Sequence, residues 1–238
     1  TRGRALDLRL GLERIVQGNA APDFATLLSR DRYSALRLGL TWRGQGRTSL
    51  RSLALTLSQG IEGRAATALV PRSRDGAGNG FTTLQATARF NRALPQGAAI
   101  DLQARAQTGL GRAQFLSEQF ALDAESGVSS FPGGSFNVDT GATLRGELIL
   151  PPGTIARTAM VTPYVFVAGG AGTLARPSAV EQAGLKAGAI GIGFRLNLGK
   201  AAPAGPGLQI GIELGHGFSN LSSRPGGNRA NITASLRF

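Results

Sequence analysis

Cysteine is absent from the 238 residues, histidine and tryptophan occur once each, and only 14 residues are acidic. Lack of cysteine excludes disulfides, thiolate metal sites and a cysteine nucleophile. Charge of either sign is scarce at 17%, against about 25% in ordinary soluble domains, so a water-facing surface is under-supplied. No apolar run approaches the roughly 18 to 20 residues of a spanning helix, which excludes a helical membrane protein. Disorder is excluded as well, because 42% of the chain is hydrophobic and those residues recur with a period. No Ser-His-Asp set, paired catalytic acids, phosphate loop or metal cluster is present, and Gly169, Gly170 and Gly172 lack the following helix that a dinucleotide site requires. The expectation is a protein that is not an enzyme and takes no cofactor or metal.

The 26 Lys and Arg residues give a net charge of +12. They are spread singly, without an aromatic stacking platform or a basic helix, which argues against nucleic acid. Glycine is abundant at 35 residues. The sequence begins at Thr1 without Met and without an apolar signal segment, which reads as a piece of a longer chain.

Ten segments alternate apolar and polar residues with period two, the mark of strands: about 4–16, 33–44, 49–61, 81–93, 98–118, 141–150, 160–170, 185–198, 206–218 and 230–238. In the first, Leu6, Leu8, Leu10 and Leu12 oppose Asp7, Arg9, Gly11 and Glu13; in the eighth, Ile190, Ile192 and Phe194 oppose Gly191, Gly193 and Arg195. Charge sits almost entirely on the second face, where Arg9, Arg105, Arg145, Glu147, Arg195 and Glu213 form a polar row. Cross-strand ion pairs are its expected work. Short connections near 45–48, 94–97, 151–159 and 199–205 alternate with long ones near 17–32, 62–80, 119–140, 171–184 and 219–229. That rhythm of short periplasmic turns and long external loops belongs to outer-membrane barrels. Trp42 then falls at a girdle position, and His216 at an interfacial one.

The last segment ends on Leu236 and Phe238. It resembles the C-terminal strand of bacterial outer-membrane β-barrels, in which the terminal Phe is read by the barrel-assembly machinery.

Residues 118–150 are similar to a more specific family, the two-partner secretion transporters of the hemolysin-activator type. Glu118, Gln119 and Phe120 match the opening of its long sixth loop, Val128 and Phe131 the ends of its tetrapeptide, Asp139 and Gly141 a later turn, and Glu147-Leu148 the following strand. Pro163, Tyr164, Val165 and Phe166 look like the next strand, with Ala168 and Gly170 further along it, and 187–198 like the one after. The resemblance implies an all-β, antiparallel transmembrane β-barrel, of which residues 1–238 hold the last ten strands of sixteen. The first six strands and the periplasmic POTRA domains would be absent. A self-closed barrel of ten strands is the alternative.

Two positions depart from the family. Ser129 and Ser130 stand where its loop has Arg and Gly, and Ala168 stands where its wall has Asp. That Arg and Asp are thought to pair and hold the loop inside the barrel. Losing both together is coherent, since losing one would strand a buried charge at a cost of several kcal/mol. Either the loop still folds inward, fastened by Ser129, Ser130 and Phe131, or it is looser. An inward loop would reverse at Pro132, Gly133 and Gly134, with Asp139 accepting backbone amides in a turn. By resemblance the partners are a secreted exoprotein, outer-membrane lipid and the barrel-assembly machinery, and the function is secretion of that exoprotein through the bacterial outer membrane without ATP. A barrel insertase and a passive porin or surface-binding barrel are the rivals.

Overall fold

A computed structural model describes residues 3–21, 23, 26–61, 71–123, 127–156, 159–199 and 207–237. Ten long strands form one antiparallel sheet in chain order: β1 (Arg4–Ala21), β2 (Thr26–Gln45), β3 (Ser49–Ile61), β4 (Thr82–Ala93), β5 (Ala99–Thr108), β8 (Thr140–Ile149), β10 (Ala159–Thr173), β11 (Gly184–Gly199), β12 (Gly207–Ser219) and β13 (Gly226–Arg237). A short β9 (Gly153–Ala156) folds back on β10, and β6 (Phe120–Ala121) pairs with β7 (Asn137–Val138) inside the connection between β5 and β8. Among the described residues β1 and β13 are the sheet edges.

The register keeps every leucine row on one face. Leu8 pairs with Leu40, Leu40 with Leu55, and Leu55 with Ala86. This face is bare: Leu10 is 70% exposed on the edge strand and Leu40, flanked by β1 and β3, is still 37% exposed. The burial lies on the opposite face, where the connection 109–139 packs against the sheet. That connection touches both ends of the sheet. Arg37 of β2 bonds Glu118, while Glu213 of β12 and Asn231 of β13 bond Ser129. Flat, the sheet would hold β2 and β12 about 35 Å apart. One loop that doubles back between Phe120 and Val138 reaches both because the sheet is rolled around it.

Three boundaries differ from the sequence reading. The segment 17–32 is no loop: β1 and β2 pair from Arg4 with Gly44 to Ala21 with Thr26, leaving only 22–25 as the connection. Alternation persists there, but with Arg30 and Arg32 outward in place of leucines and Ser29, Asp31 and Tyr33 buried inward, so a hydrophobic pattern could not show it. The fifth strand ends at Thr108 rather than near 118, because Leu110 and Gly111 turn the chain with φ of 51° and 74°. The connection expected at 219–229 narrows to 220–225. Leu236 faces outward opposite Leu208, and Phe238 lies outside the described residues.

Candidate functional site

The connection 109–139 enters the concave face because one side of it is apolar. Phe120, Leu122, Val128, Phe131, Phe136 and Val138 form one buried cluster with Tyr164, Phe166 and Ala168 of β10 and Leu185, Ala187 and Ala189 of β11. Val128 and Phe136 are completely buried, and each such side chain contributes about 1.5–3 kcal/mol when removed from water. Backbone bonds brace the loop within itself, from Leu122 N to Phe136 O and from Val128 N to Leu122 O, both 2.9 Å. Ala168 sits inside this cluster, so a methyl fills the wall position opposite the loop.

Glycines make the remaining room. A Cβ at Gly217 of β12 would lie 2.7 Å from the Phe131 ring, and one at Gly215 would collide with Ser130 Oγ. On β11, Gly191 and Gly193 leave space for the Phe166 and Tyr164 rings. Gly170 lies across from Thr143, and Gly141 is crowded by Val138 where the loop rejoins the wall. Gly134 takes a left-handed φ of 80° and reverses the chain; Gly133 beside it stands open.

At the tip the loop supplies no charge. Ser129 Oγ donates to Glu213 and accepts from Arg145 Nη1 at 2.8 Å, while Asn231 Nδ2 donates to Ser129 O at 2.9 Å. Arg145 also bonds Glu147 (2.9 Å) and Glu213, and Arg195 bonds Glu147. Two cations thus meet two anions, all from the wall. The Arg145 and Arg195 guanidinia lie over the Phe166 and Tyr164 rings, each 4.1 Å from the centroid, and Tyr164 donates to Glu213 at 3.1 Å. Beneath the tip lies a cavity of about 1270 Å³ whose lining includes Arg89, Asp101, Arg105, Gln209 and Arg229.

Asp139 anchors the other end of the loop. It accepts Arg74 (2.6 Å), the Gln114 amide (2.9 Å) and the Ala175 amide (2.8 Å), tying together three connections of the external rim. Beside it Tyr33 stacks on Phe115 while Phe81 meets both rings edge-on, and Glu118 accepts Tyr33 and Arg37 at 2.6 Å each.

The profile of the haemolysin secretion/activation protein family ShlB/FhaC/HecB matches residues 2–196. The chain belongs to this family. Its fold is shared with CdiB from Escherichia coli, with a TM-score of 0.74 at 18% identity over 98% of this chain and 42% of that one. No curated protein sequence matches. As a ShlB/FhaC/HecB member the chain belongs to the outer-membrane β-barrels.

In this family member the polar row divides differently from the sequence expectation. Arg145, Glu147, Arg195 and Glu213 form one ionic group, but Arg9 and Arg105 have no carboxylate partner among the described residues. Asp7 pairs instead with Arg43, and Asp101 with Arg89. Arg105 lies over the Phe120 ring at 4.9 Å. Glu118, Arg37, Arg74, Asn231, Gly215 and Gly217 were not foreseen as site residues. Their partners lie 65 or more residues away in sequence in the cases of Arg74, Glu118 and Asn231, and no local signal announces such pairs.

Asp123 gives the loop a pH dependence. Burial pushes its carboxyl above the ordinary range, opposed by the Ser135 and Phe136 amides and by Arg224, and its Oδ1 has no partner among the described residues. The docked loop therefore holds this proton more tightly than a released one. The contribution to docking is complete below the ordinary value of 3.8 and is lost as pH rises through the raised value. Hydrogen exchange at the Leu122 amide should accelerate over that window, and Asp123→Asn should flatten the dependence.

Proposed function

We propose that this chain forms the pore wall of a two-partner secretion transporter, passing one partner exoprotein to the cell surface in extended form and without ATP. The observation that carries the reading is the loop tip. It occupies the concave face above a polar cavity, yet it is held by a serine hydroxyl, one backbone carbonyl and apolar packing on glycines. Such contacts exchange without exposing a loop charge, so an incoming chain replaces them one at a time. The Arg, Gln and Thr rows below offer weak, replaceable hydrogen bonds to that chain. Family membership and the CdiB-like fold support the reading.

Within the lipid an unpaired strand edge costs several kcal/mol per amide. The edges of β1 and β13 would accordingly pair with further strands of the same transporter, as befits a chain that spans 42% of the CdiB chain's length. The barrel-assembly machinery would insert the whole.

Absence of cysteine allows a clean test. Asn231 of β13 donates to the Ser129 carbonyl at 2.9 Å, so a cysteine pair at these two neighbouring positions reports whether the loop must leave the wall. In the full transporter, Ser129→Cys/Asn231→Cys should secrete at the level of its two single variants when reduced and stop when oxidised, with recovery on reduction. Equal secretion in both states would sink the proposed loop movement. Steady conductance of small solutes in the oxidised state, with no partner secreted in either, would favour a passive porin.

A further inference from the structure

We propose that the outward face of the β1–β2 hairpin, at the external rim, binds the phosphates of a lipid A-type headgroup through Arg14, Arg30 and Arg32. Three observations meet there. Position comes first. On β1 the outward residues run Arg4, Leu6, Leu8, Leu10, Leu12, Arg14. Ten residues separate the two arginines, about 33 Å along the strand and about 25 Å in height at the usual barrel tilt, the thickness of the apolar band. Arg14 is therefore the first outward side chain past the lipid belt. On β2 the belt ends at Leu36, and Arg32 and Arg30 follow, opposite Val16 and Gly18.

Charge is the second observation. The three guanidinia occupy adjacent rungs of one face, Arg14 diagonal to Arg32 and Arg30 two residues beyond. All three are exposed, and none forms an ion pair or a side-chain hydrogen bond among the described residues. No carboxylate lies on the outward face of the described parts of β1, β2 or β3, because Asp31 is buried on the inner side. Arg32 lies roughly 7–8 Å from Arg14 across the pair and about 7 Å from Arg30 along the strand, with Arg14 and Arg30 about 14 Å apart; such like charges repel, and an anion bridging neighbours relieves that repulsion. Arg forms paired hydrogen bonds to phosphate, and phosphates are the charge that an outer-leaflet glycolipid presents at this depth.

The third observation is continuity. The arginines extend the hairpin upward from the leucine belt on the same face and in unbroken register. One lipid molecule can lay its acyl chains along Leu12 and Leu36 and its phosphates on the arginines. A soluble partner would gain only the charges.

The test uses the intact transporter in a mild detergent, titrated with bisphosphorylated lipid A, with the same lipid dephosphorylated, and with inorganic phosphate. Each basic side chain beside an anionic surface is worth about a factor of five. Arg14→Gln/Arg30→Gln/Arg32→Gln should therefore weaken binding of bisphosphorylated lipid A by roughly a hundredfold. It should leave the dephosphorylated lipid unaffected, and inorganic phosphate should not displace the lipid from the wild type. Arg4→Gln/Arg51→Gln, at the opposite rim, should bind lipid A as the wild type does. If the triple variant does not assemble, Arg32→Gln alone should lose about fivefold. Unchanged lipid A affinity in the variants overturns the proposal, as does displacement by free phosphate. Loss of secretion with lipid affinity intact would assign the patch to a protein partner instead.

Discussion

Asp139→Ala is expected to unfasten the external end of the loop, at a cost of about 5 kcal/mol. The carboxylate is 1% exposed, and it accepts a buried arginine together with two backbone amides. Removing one member of a buried ion pair costs about 3–5 kcal/mol because the remaining charge is left uncompensated, and each stranded amide adds about 1–3 kcal/mol before relaxation. Hydrogen exchange at Gln114 and Ala175 should accelerate by two orders of magnitude or more, while amides in the middle of β3 and β4 stay protected. Asp139→Ala/Arg74→Gln should recover part of the loss, since the stranded cation is gone but the amides remain unpaired. The Asp7–Arg43 pair supplies the control. Its side chains are 59% and 64% exposed, and Asp7→Ala should cost under about 1 kcal/mol.

The second large effect is expected at Arg145. Its side chain is 6% exposed, and it bonds Glu147, Glu213 and the loop hydroxyl of Ser129. Arg145→Ala leaves Glu213 with only Tyr164 and Ser129 as donors, while Arg195 still holds Glu147. A loss of about 3–5 kcal/mol follows, seen as a lower thermal midpoint of the refolded barrel. Glu213 should then repel approaching anions, and the resting pore should become more cation-selective in bilayer recordings. Arg145→Ala/Glu213→Gln should cost less stability than the two single effects summed and should bring selectivity back toward the wild type, because neighbours in one network do not add. Additive effects would show that the group does not act as a unit.

Much of the wall is legible in the sequence. Leu6 to Leu12 against Asp7 to Glu13 and Leu208 to Leu214 against Gln209 to Gly215 read correctly as strands with an outward apolar face, because the period-two pattern is a property of consecutive residues. It failed where the outward positions stop being apolar. Past Leu36 the outward positions of β2 become Ser34, Arg32 and Arg30, so the extended hairpin resembled a loop. It also overran at β5, where Leu110 and Leu116 continue the even apolar parity of Ile100 to Ala106 although the turn at Leu110 and Gly111 ends the strand.

The candidate site was legible in its members more than in its connections. Ser129, Phe131, Tyr164, Phe166, Arg145, Glu147, Arg195 and Glu213 do come together, and Asp139 does accept backbone amides. Which cation meets which anion is not readable from the sequence, and Arg9 and Arg105, expected in cross-strand pairs, make no ion pair among the described residues. The pairing Ser129–Glu213 joins residues 84 apart, and Arg37–Glu118 joins residues 81 apart.

The sequence by itself determined the strands, the apolar face of each, and the family, since these follow from local alternation and short motifs. Only the tertiary structure decided that the loop tip is held without a charge of its own, that wall residues supply both signs around it, and that Asp139 clasps three connections. The reason is geometric. Rolling the sheet sets which inward side chains converge, and the curvature arises from the packing of ten strands and one loop together.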